Sequence, residues 1–161
     1  RDACASFYHH LVHMSASEGG IEEDVDKFVE NWCGGKVAFG GWGEHLNSWL
    51  VGGGAPRDPR VLVVSYEAMK KDLETVLRQI RTHCRITCSD EDIVNDVLPN
   101  LTFAHMKSHV DRYEPRSVEW VNKGDGFQFI RNGMGAKDLF NENHERVFDK
   151  YLESINVPVE L

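Results

Sequence analysis

The sequence predicts an α/β fold that is mostly helical and contains one clear buried strand of the parallel type. The run VLVVSY at Val61–Tyr66 is apolar, largely β-branched and bounded by turn residues, which is typical of a strand buried on both faces. The segment Glu67–Cys84 follows directly, and its apolar residues recur at helical spacing. Because a strand that leads into an amphipathic helix is half of a βαβ unit, these two segments indicate a parallel α/β architecture.

The remaining elements are predicted from apolar residues at helical spacing, with Gly, Ser or Pro at their ends. The predicted helices are Asp2–Met14, Glu22–Trp32, Gly43–Leu50, Ser89–Pro99 and Asn141–Ile155, with a turn or two at Phe103–His109. The polar stretch His109–Gly126 is predicted to be a mobile surface loop. Since no second segment has the pattern of a buried strand, we expect residues 1–161 to be the C-terminal part of a single domain.

Composition limits the possible partners. The chain has 26 acidic and 18 basic residues and a net charge of -8, which argues against broad binding to nucleic acid or membrane surfaces. It has no apolar run long enough to cross a membrane, and its first residues lack the features of a signal peptide. The four cysteines are sparse and favour free thiols in a reducing compartment. We therefore expect a cytoplasmic protein that binds any anion through a local cluster.

Histidines provide the candidates for a metal site or a general base. His9, His10 and His13 fall within about one helical turn, but no carboxylate or Cys pattern completes the three protein ligands that zinc needs. His45 has no partner visible in the sequence and is interpreted as a structural residue. The sequence therefore predicts neither a metal site nor a catalytic base.

A short basic loop near the C-terminus has residue types suited to anion binding. In FIRNGMG, Arg131 offers a planar fork of donors to a phosphate, and Gly133 allows the backbone to approach an anion closely. The preceding Phe129 and Ile130 can cover a base or a ring. On these residues alone, an anion-binding loop and an ordinary surface turn both remain open.

Several segments, taken together and in order, resemble the cytosolic-type sulfotransferases that use a nucleotide donor. The matching segments are RDACASFYHH, GGWGEHLNSW, VLVVSYEAMKKD, LTFAHMKSH, FIRNGMGAKDLFN, NHERVF and the closing VEL. They run from residue 1 to residue 161 at spacings comparable to those of the family. The resemblance implies the C-terminal portion of a P-loop NTPase-like sulfotransferase fold.

The resemblance also implies a co-substrate, a reaction and a set of site residues. Family members transfer a sulfonate from 3'-phosphoadenosine 5'-phosphosulfate, PAPS, to a hydroxyl or amine of a small-molecule acceptor. Positions that match the family's 3'-phosphate site are Ser6, Arg131, Asn132 and Gly133. Positions that match its adenosine site are Tyr66, beside the adenine, and Phe103, Phe129 and Ile130.

The chain departs from the family pattern at several places. Asn132 replaces a Lys, which removes one positive charge while keeping the backbone donor. The phosphosulfate loop, P-K-S-G-T-T-W in the family, has no counterpart in these residues, and the family's catalytic His lies before the segment that matches Arg1. We therefore assign no catalytic residue to this chain. The family's dimer motif is poorly kept in KDLFNENHER, so the oligomeric state stays open.

Two other functions remain open at this point. The protein could be a noncatalytic nucleotide-binding or interaction module with a sulfotransferase-like fold, or a nucleoside or nucleotide kinase with the same broad architecture. The pairing of Ser6 with Arg131 on a 3'-phosphate argues against the kinase. The identity of the acceptor cannot be deduced from these residues.

Overall fold

The computed structural model describes residues 1–22, 24–52, 58–121, 127–131, 133 and 139–155, and most of these are helical or in turns. Their α-helices are Asp2–Leu11 (α1), Val25–Cys33 (α2), Trp42–Asn47 (α3), Tyr66–Lys71 (α4), Leu73–Cys84 (α5), Asp90–Asp92 (α6), Leu98–Asn100 (α7), Phe103–Ser108 (α8) and Glu142–Ser154 (α9). Short 3-10 helices lie at Ala16–Glu18 and Val110–Arg112, and π-helical turns lie at Ser48–Gly52 and Ile93–Val97.

The described residues form two compact units. The first unit consists of residues within Arg1–His45 and His109–Asn156, and the second of residues within Leu46–Ser108. The first unit therefore contains α1, α2 and α9, and the second contains α4 to α8.

Local hydrogen bonds explain where the helices of the first unit begin. Asp24 precedes α2, and its carboxylate accepts a hydrogen bond from the Lys27 amide at 2.8 Å. Asn141 precedes α9 and forms a capping box with His144, whose Nδ1 accepts from the Asn141 amide at 3.1 Å. These caps satisfy amides that have no partner within the helix.

An aromatic core holds the first unit together. Phe28 on α2 is 1% exposed, and its ring centroid lies 6.2 Å from that of Phe7 and 5.2 Å from that of Tyr8, both on α1. Phe148 on α9 packs at 4.9 Å against Phe140. Other buried members of this cluster are Cys4, Leu11 and Val29. Burial of several large side chains accounts for most of the stabilisation of such a unit.

Polar contacts fix α9 against the rest of the first unit. His144 is buried, and its Nε2 lies 2.5 Å from Asp26 Oδ1 on α2. The Gly43 amide of α3 donates to the Tyr151 hydroxyl at 2.8 Å. A Cβ at Gly43 would lie 2.3 Å from Ile155 Cγ2, so only glycine allows α3 to approach α9 this closely.

The prediction of one buried parallel strand is wrong. Val61–Ser65 lies in the second unit as irregular chain, and Leu62 and Val63 in its centre are each 36% exposed. Across the described residues the β-pairing consists of an isolated antiparallel bridge between Met14 and Trp120. A β-branched run becomes a strand only when a neighbouring strand accepts its hydrogen bonds, and the residues described here do not provide one.

The predicted long helix after this segment is present but is broken once. Ser65 caps α4, its hydroxyl accepting from the Ala68 amide at 3.1 Å. Asp72 then leaves the helical conformation, with a φ of -151°, and begins α5 by accepting from the Thr75 amide at 3.0 Å. An Asp inside an apolar helical pattern can thus act as a start signal for a second helix.

The second unit has few buried side chains. Its buried apolar residues are Val76 on α5, 3% exposed, and Ile93, 2% exposed, among the residues described there. The predicted helix after Ser89 is present as α6, a π-helical turn and α7 in succession. Asp90 at its start forms ion pairs with Arg78 and Arg81 of α5.

Two further sequence expectations can be compared with the structure. All four cysteines are free thiols, as predicted, and burial raises the pKa of the Cys4 thiol to about 12. None of the described helices is both long and apolar enough to cross a membrane.

Candidate functional site

The residues predicted for the site are divided between the two units. Ser6 on α1 and the stretch Phe129–Arg131 with Gly133 belong to the first unit. Tyr66 is the first residue of α4 and Phe103 the first of α8, both in the second unit. Asn132 lies outside the described residues.

One face of α1 forms the base of the site in the first unit. His9 and His10 follow Ser6 on α1 by three and four residues, so these three lie on one side of the helix, and His13 comes two residues after the helix ends at Leu11. Ser6 is exposed, and the three imidazoles are half-buried. The helix therefore presents a hydroxyl group and several ring nitrogens on one surface.

An aromatic cluster packs the 127–131 segment onto this face. The cluster is defined here by His10, His13, Trp120, Phe127 and Phe129. The rings of His13 and Phe127 stack at 4.6 Å, and the rings of His10 and Phe129 meet edge to face at 4.9 Å. Trp120 stacks on Phe127 at 4.8 Å and contacts His10 at 5.1 Å. The 127–131 segment is thus attached to α1 at two successive positions.

Backbone hydrogen bonds hold Trp120 in the aromatic cluster. The Ser15 amide donates to the Glu119 carbonyl at 2.9 Å, and the Val121 amide donates to the His13 carbonyl at 2.8 Å. These bonds flank the bridge between Met14 and Trp120. The described part of the predicted surface loop is therefore fastened to the end of α1 at this point.

Arg131 lies near enough to α1 for its charge to act on His9 and His10. The ring contacts run antiparallel to the helix, because Phe127 meets His13 while Phe129 meets His10, one turn earlier. Arg131 follows two residues later.

The electrostatics of the histidines agree with this placement. The pKa of His9 and that of His10 are both lowered, first by burial and next by the positive charge of Arg131. The His10 ring also hydrogen-bonds to the Ser6 backbone, which raises its pKa and so opposes these effects. The charge of Arg131 therefore acts on two histidines of α1, and one of them, His10, hydrogen-bonds to the Ser6 backbone.

Gly133 adds a backbone feature to this surface. Its φ of 67° lies in the left-handed region, which glycine adopts without steric cost. A backbone in this conformation can turn its amide groups toward an anion.

The two predicted residues of the second unit are aromatic and well exposed. Tyr66 is 55% exposed, with Lys70 Nζ 5.7 Å from its ring centroid. Phe103 is 40% exposed, with Lys107 Nζ 5.9 Å from its ring centroid. Each of these two aromatic residues is thus the first residue of a short helix. A lysine one turn later places its ammonium group near the aromatic ring, which is a cation–π arrangement.

A cavity of about 320 Å³ opens in the first unit beside the aromatic cluster. Its lining residues are Asp111, Glu114, Pro115, Arg116, Val118 and Trp120. The Trp120 Nε1 group is buried and has no hydrogen-bond partner within the described part of the chain. No feature of the sequence indicates a cavity in this stretch, for which the sequence predicts a mobile surface loop.

The structure gives no support to a metal site on α1. Where residues are described, no group of three or more His, Cys, Asp or Glu side chains could hold a metal ion. His13 Nδ1 instead donates to the His9 carbonyl at 2.7 Å. These imidazoles therefore act as packing and hydrogen-bonding groups in this structure.

Sequence reasoning missed the aromatic cluster and the part that His10 plays in it. Two features of the sequence point to the cluster. Ser6, His10 and His13 are spaced by four and three residues, and Phe127 and Phe129 are separated by one residue, so each set can face one side. Neither feature indicates that the two segments meet, because they are more than 100 residues apart in the chain.

Comparison with families of known proteins finds a family model that matches most of the chain. The family model described as Sulfotransferase domain matches residues 1–155. Among curated proteins, the chain is 27% identical to Sulfotransferase 1E1 of Cavia porcellus over 158 residues, which are 95% of this chain and 50% of that protein. It is 31% identical to Luciferin sulfotransferase of Photinus pyralis over 159 residues, 95% of this chain and 40% of that protein.

A solved structure shows the same fold. Mouse sulfotransferase SULT7A1, complexed with PAP, superimposes with a TM-score of 0.72 at 23% sequence identity. The superposition covers 94% of this chain and 54% of the mouse protein. The chain thus spans about half the length of the relatives that it matches.

Proposed function

The chain belongs to the sulfotransferase domain family, and from this premise we propose that the protein transfers a sulfonate from PAPS to a hydroxyl or amine of a small-molecule acceptor. In this proposal the chain binds the 3'-phosphate and the adenosine of the donor. The observation that supports the proposal is that the contacts of Phe129 with His10 and of Phe127 with His13 bring the segment that carries Arg131 against the helix that carries Ser6. A guanidinium and a hydroxyl on one surface are suited to a phosphate.

We assign the 3'-phosphate to four residues. Arg131 donates from its planar guanidinium, and Ser6 donates from its hydroxyl. Gly133 allows the backbone to fold closely around the anion, which its positive φ supports. Asn132 contributes a backbone amide in this proposal and, being neutral, no charge. Hydrogen bonds to a charged group contribute about 1.5–3 kcal/mol each, so Arg131 is expected to contribute most.

We assign the adenosine to aromatic and aliphatic side chains. Tyr66 is proposed to contact the adenine, and Phe103, Phe129 and Ile130 the adenosine more generally. The exposure of the Tyr66 and Phe103 rings supports this, since an exposed ring is free to stack on a base. Phe129 is held by the aromatic cluster and needs little reordering to contact a ligand.

The chain's contribution to the reaction is to position the donor. The bond to be broken joins the sulfonate sulfur to an oxygen of the donor's 5'-phosphate, and the acceptor oxygen or nitrogen attacks in line. Residues that fix the far end of the donor keep this geometry constant during transfer. The group that removes the acceptor's proton is not assigned to these 161 residues. We also place the protein in the cytoplasm, which its four free cysteines support.

Binding of the reaction product provides the test. Isothermal titration calorimetry with 3'-phosphoadenosine 5'-phosphate should show binding, and ATP should bind at least tenfold more weakly. Arg131→Ala should lower the affinity by roughly tenfold to a hundredfold, which is the loss of one charged hydrogen-bonding group. Arg146→Ala is the matched control, because Arg146 on α9 is exposed and pairs with Glu142.

The outcomes separate this function from its alternatives. Preference for ATP would favour a nucleotide kinase. Binding of the product without transfer of labelled sulfonate from PAPS to any phenol, steroid, alcohol or amine would favour a noncatalytic nucleotide-binding module. Unchanged affinity in Arg131→Ala would remove the proposed 3'-phosphate site.

A further inference from the structure

Trp120 contacts both helix α1 and the segment that ends at Arg131. Its ring stacks on that of Phe127 with the centroids 4.8 Å apart, and its centroid lies 5.9 Å from that of Phe129. On α1, the same indole meets the ring of His10 edge to face at 5.1 Å. The contacts of Trp120 therefore extend to within two residues of Arg131 along the chain.

The backbone on either side of Trp120 is itself fixed in place. The Val121 amide donates to the His13 carbonyl at 2.8 Å, just beyond the end of α1. The Glu119 amide donates to the Glu18 carboxylate at 2.6 Å. None of these groups belongs to the Trp120 side chain. The indole thus stands on a backbone that remains attached to the first unit when the ring is replaced.

The position of the 127–131 segment should decide how well Arg131 binds a phosphate. A guanidinium forms its paired hydrogen bonds to a phosphate within a narrow range of directions. Its side chain is long and rotates about several bonds, so the place of the guanidinium depends on the backbone that carries it. A segment that is already in position loses less entropy when the ligand binds.

We propose that Trp120 is a positioning residue for the donor's 3'-phosphate, and that its indole holds the 127–131 segment where Arg131 can bind that phosphate. This inference rests on the proposed donor-binding function. In this proposal Trp120 does not touch the ligand. Its effect on affinity therefore passes through Arg131 and requires that the ligand carry a 3'-phosphate.

Calorimetry with two ligands tests the proposal. The wild type and Trp120→Ala are each titrated with 3'-phosphoadenosine 5'-phosphate and with adenosine 5'-monophosphate, which has no 3'-phosphate. The variant should bind the first ligand roughly tenfold more weakly, because small displacements of a binding group carry large costs. Its affinity for the second ligand should equal that of the wild type.

Two further variants show whether Trp120 acts through Arg131. Trp120→Phe keeps an aromatic ring that can stack on Phe127, so its affinity for 3'-phosphoadenosine 5'-phosphate should stay within roughly threefold of the wild type. In the Arg131→Ala background, Trp120→Ala should cause no further loss, because the group that it positions is absent. Losses that simply add would contradict the proposed route through Arg131.

Trp32→Ala is the matched control for a general loss of stability. Trp32 lies on α2 in the same unit, and its ring centroid is 5.9 Å from that of Phe7 and 6.4 Å from that of Phe28. Its removal should lower the melting temperature and leave the affinity for 3'-phosphoadenosine 5'-phosphate unchanged. Should Trp120→Ala fail to fold by circular dichroism, Trp120→Leu replaces it with the same expected result.

The possible failures are distinct. Equal affinity of the wild type and Trp120→Ala for 3'-phosphoadenosine 5'-phosphate would overturn the positioning role and leave donor binding in place. An equal loss in Trp32→Ala, or an equal loss with adenosine 5'-monophosphate, would show that the effect of Trp120 is only structural. No binding of 3'-phosphoadenosine 5'-phosphate by the wild type would overturn the donor-binding function and this inference together.

Discussion

The two compact units differ in how they hold the residues assigned to the donor. In the first unit, Phe129 and Arg131 belong to the 127–131 segment. The rings of Phe127 and Phe129 in this segment contact those of His13 and His10 at 4.6 and 4.9 Å. In the second unit, Tyr66 and Phe103 stand at the starts of short helices and are 55% and 40% exposed. The residues proposed for donor binding are therefore held by neighbouring rings in the first unit, whereas those in the second unit are exposed aromatic rings.

The same contrast appears in the cores. The first unit buries Phe28 and Phe148 to 1% and 2% exposure, while the second buries Val76 and Ile93 and leaves several larger apolar side chains exposed. Since stabilisation follows the apolar area buried, the first unit should be the more stable of the two. Ligand residues on a stable unit lose less entropy on binding.

The largest expected effect is the loss of the central aromatic side chain of the first unit. Phe28→Ala should lower the free energy of unfolding by about 3–5 kcal/mol, because it removes a ring that contacts both α1 and α2 neighbours. Val76→Ala in the second unit should cost about 1–2 kcal/mol. Urea denaturation followed by circular dichroism measures both. An equal cost for the two variants would contradict the contrast between the cores.

A smaller effect is expected where α3 approaches α9. Gly43→Ala should cost about 1–3 kcal/mol, since a Cβ there would lie 2.3 Å from Ile155 Cγ2. Gly41→Ala is the matched control, because its Cβ would meet only the Glu44 side chain, at 3.4 Å. The control should stay within about 0.5 kcal/mol of the wild type. Thermal denaturation measures the stability of both variants. If Gly41→Ala is destabilised more than Gly43→Ala, the close approach of Gly43 to Ile155 does not limit the packing of α3.

The smallest effect concerns the start of α5 in the second unit. Hydrogen bonds from Thr75 hold the pKa of Asp72 below the usual value for an Asp carboxyl. The cap therefore stabilises the helix fully at pH values above the usual Asp pKa. The stabilisation is lost as pH falls through the lowered pKa. The Thr75 amide resonance should therefore titrate with a midpoint below about 3.9, the usual Asp value.

Asp72→Asn separates capping from titration, because Asn caps a helix without carrying a titratable group. The Thr75 amide should then show no acid transition of this kind. A midpoint at or above 3.9 in the wild type would show that the cap does not form in solution.

Local signals predicted the helices well and the strand badly. Asp24, Ser65 and Ser89 all cap helices close to the predicted starts, because a cap depends on residues within one turn. The run Val61–Ser65 fails as a strand because a ladder depends on a second segment that hydrogen-bonds to it. Apolar composition predicts that a segment is buried, but it determines neither the burial nor the pairing, and Leu62 and Val63 are exposed.

The candidate site was predictable in its residue types and not in its contacts. Arg131 was identified by a short basic motif whose chemistry suits a phosphate, and Ser6 by the resemblance to the sulfotransferases. The contact between His10 and Phe129 joins positions far apart in the chain, so it follows from tertiary packing and not from local pattern.

A double-mutant cycle on Ser6 and Arg131 tests most directly whether the first unit forms one preorganised 3'-phosphate site. Calorimetry compares the wild type, Ser6→Ala, Arg131→Ala and the double variant, each with 3'-phosphoadenosine 5'-phosphate and with adenosine 5'-monophosphate. We predict a coupling of about 0.5–3 kcal/mol with the first ligand and none with the second, because both side chains bind the same phosphate. Strictly additive losses, or the same losses with the ligand that has no 3'-phosphate, would contradict the account.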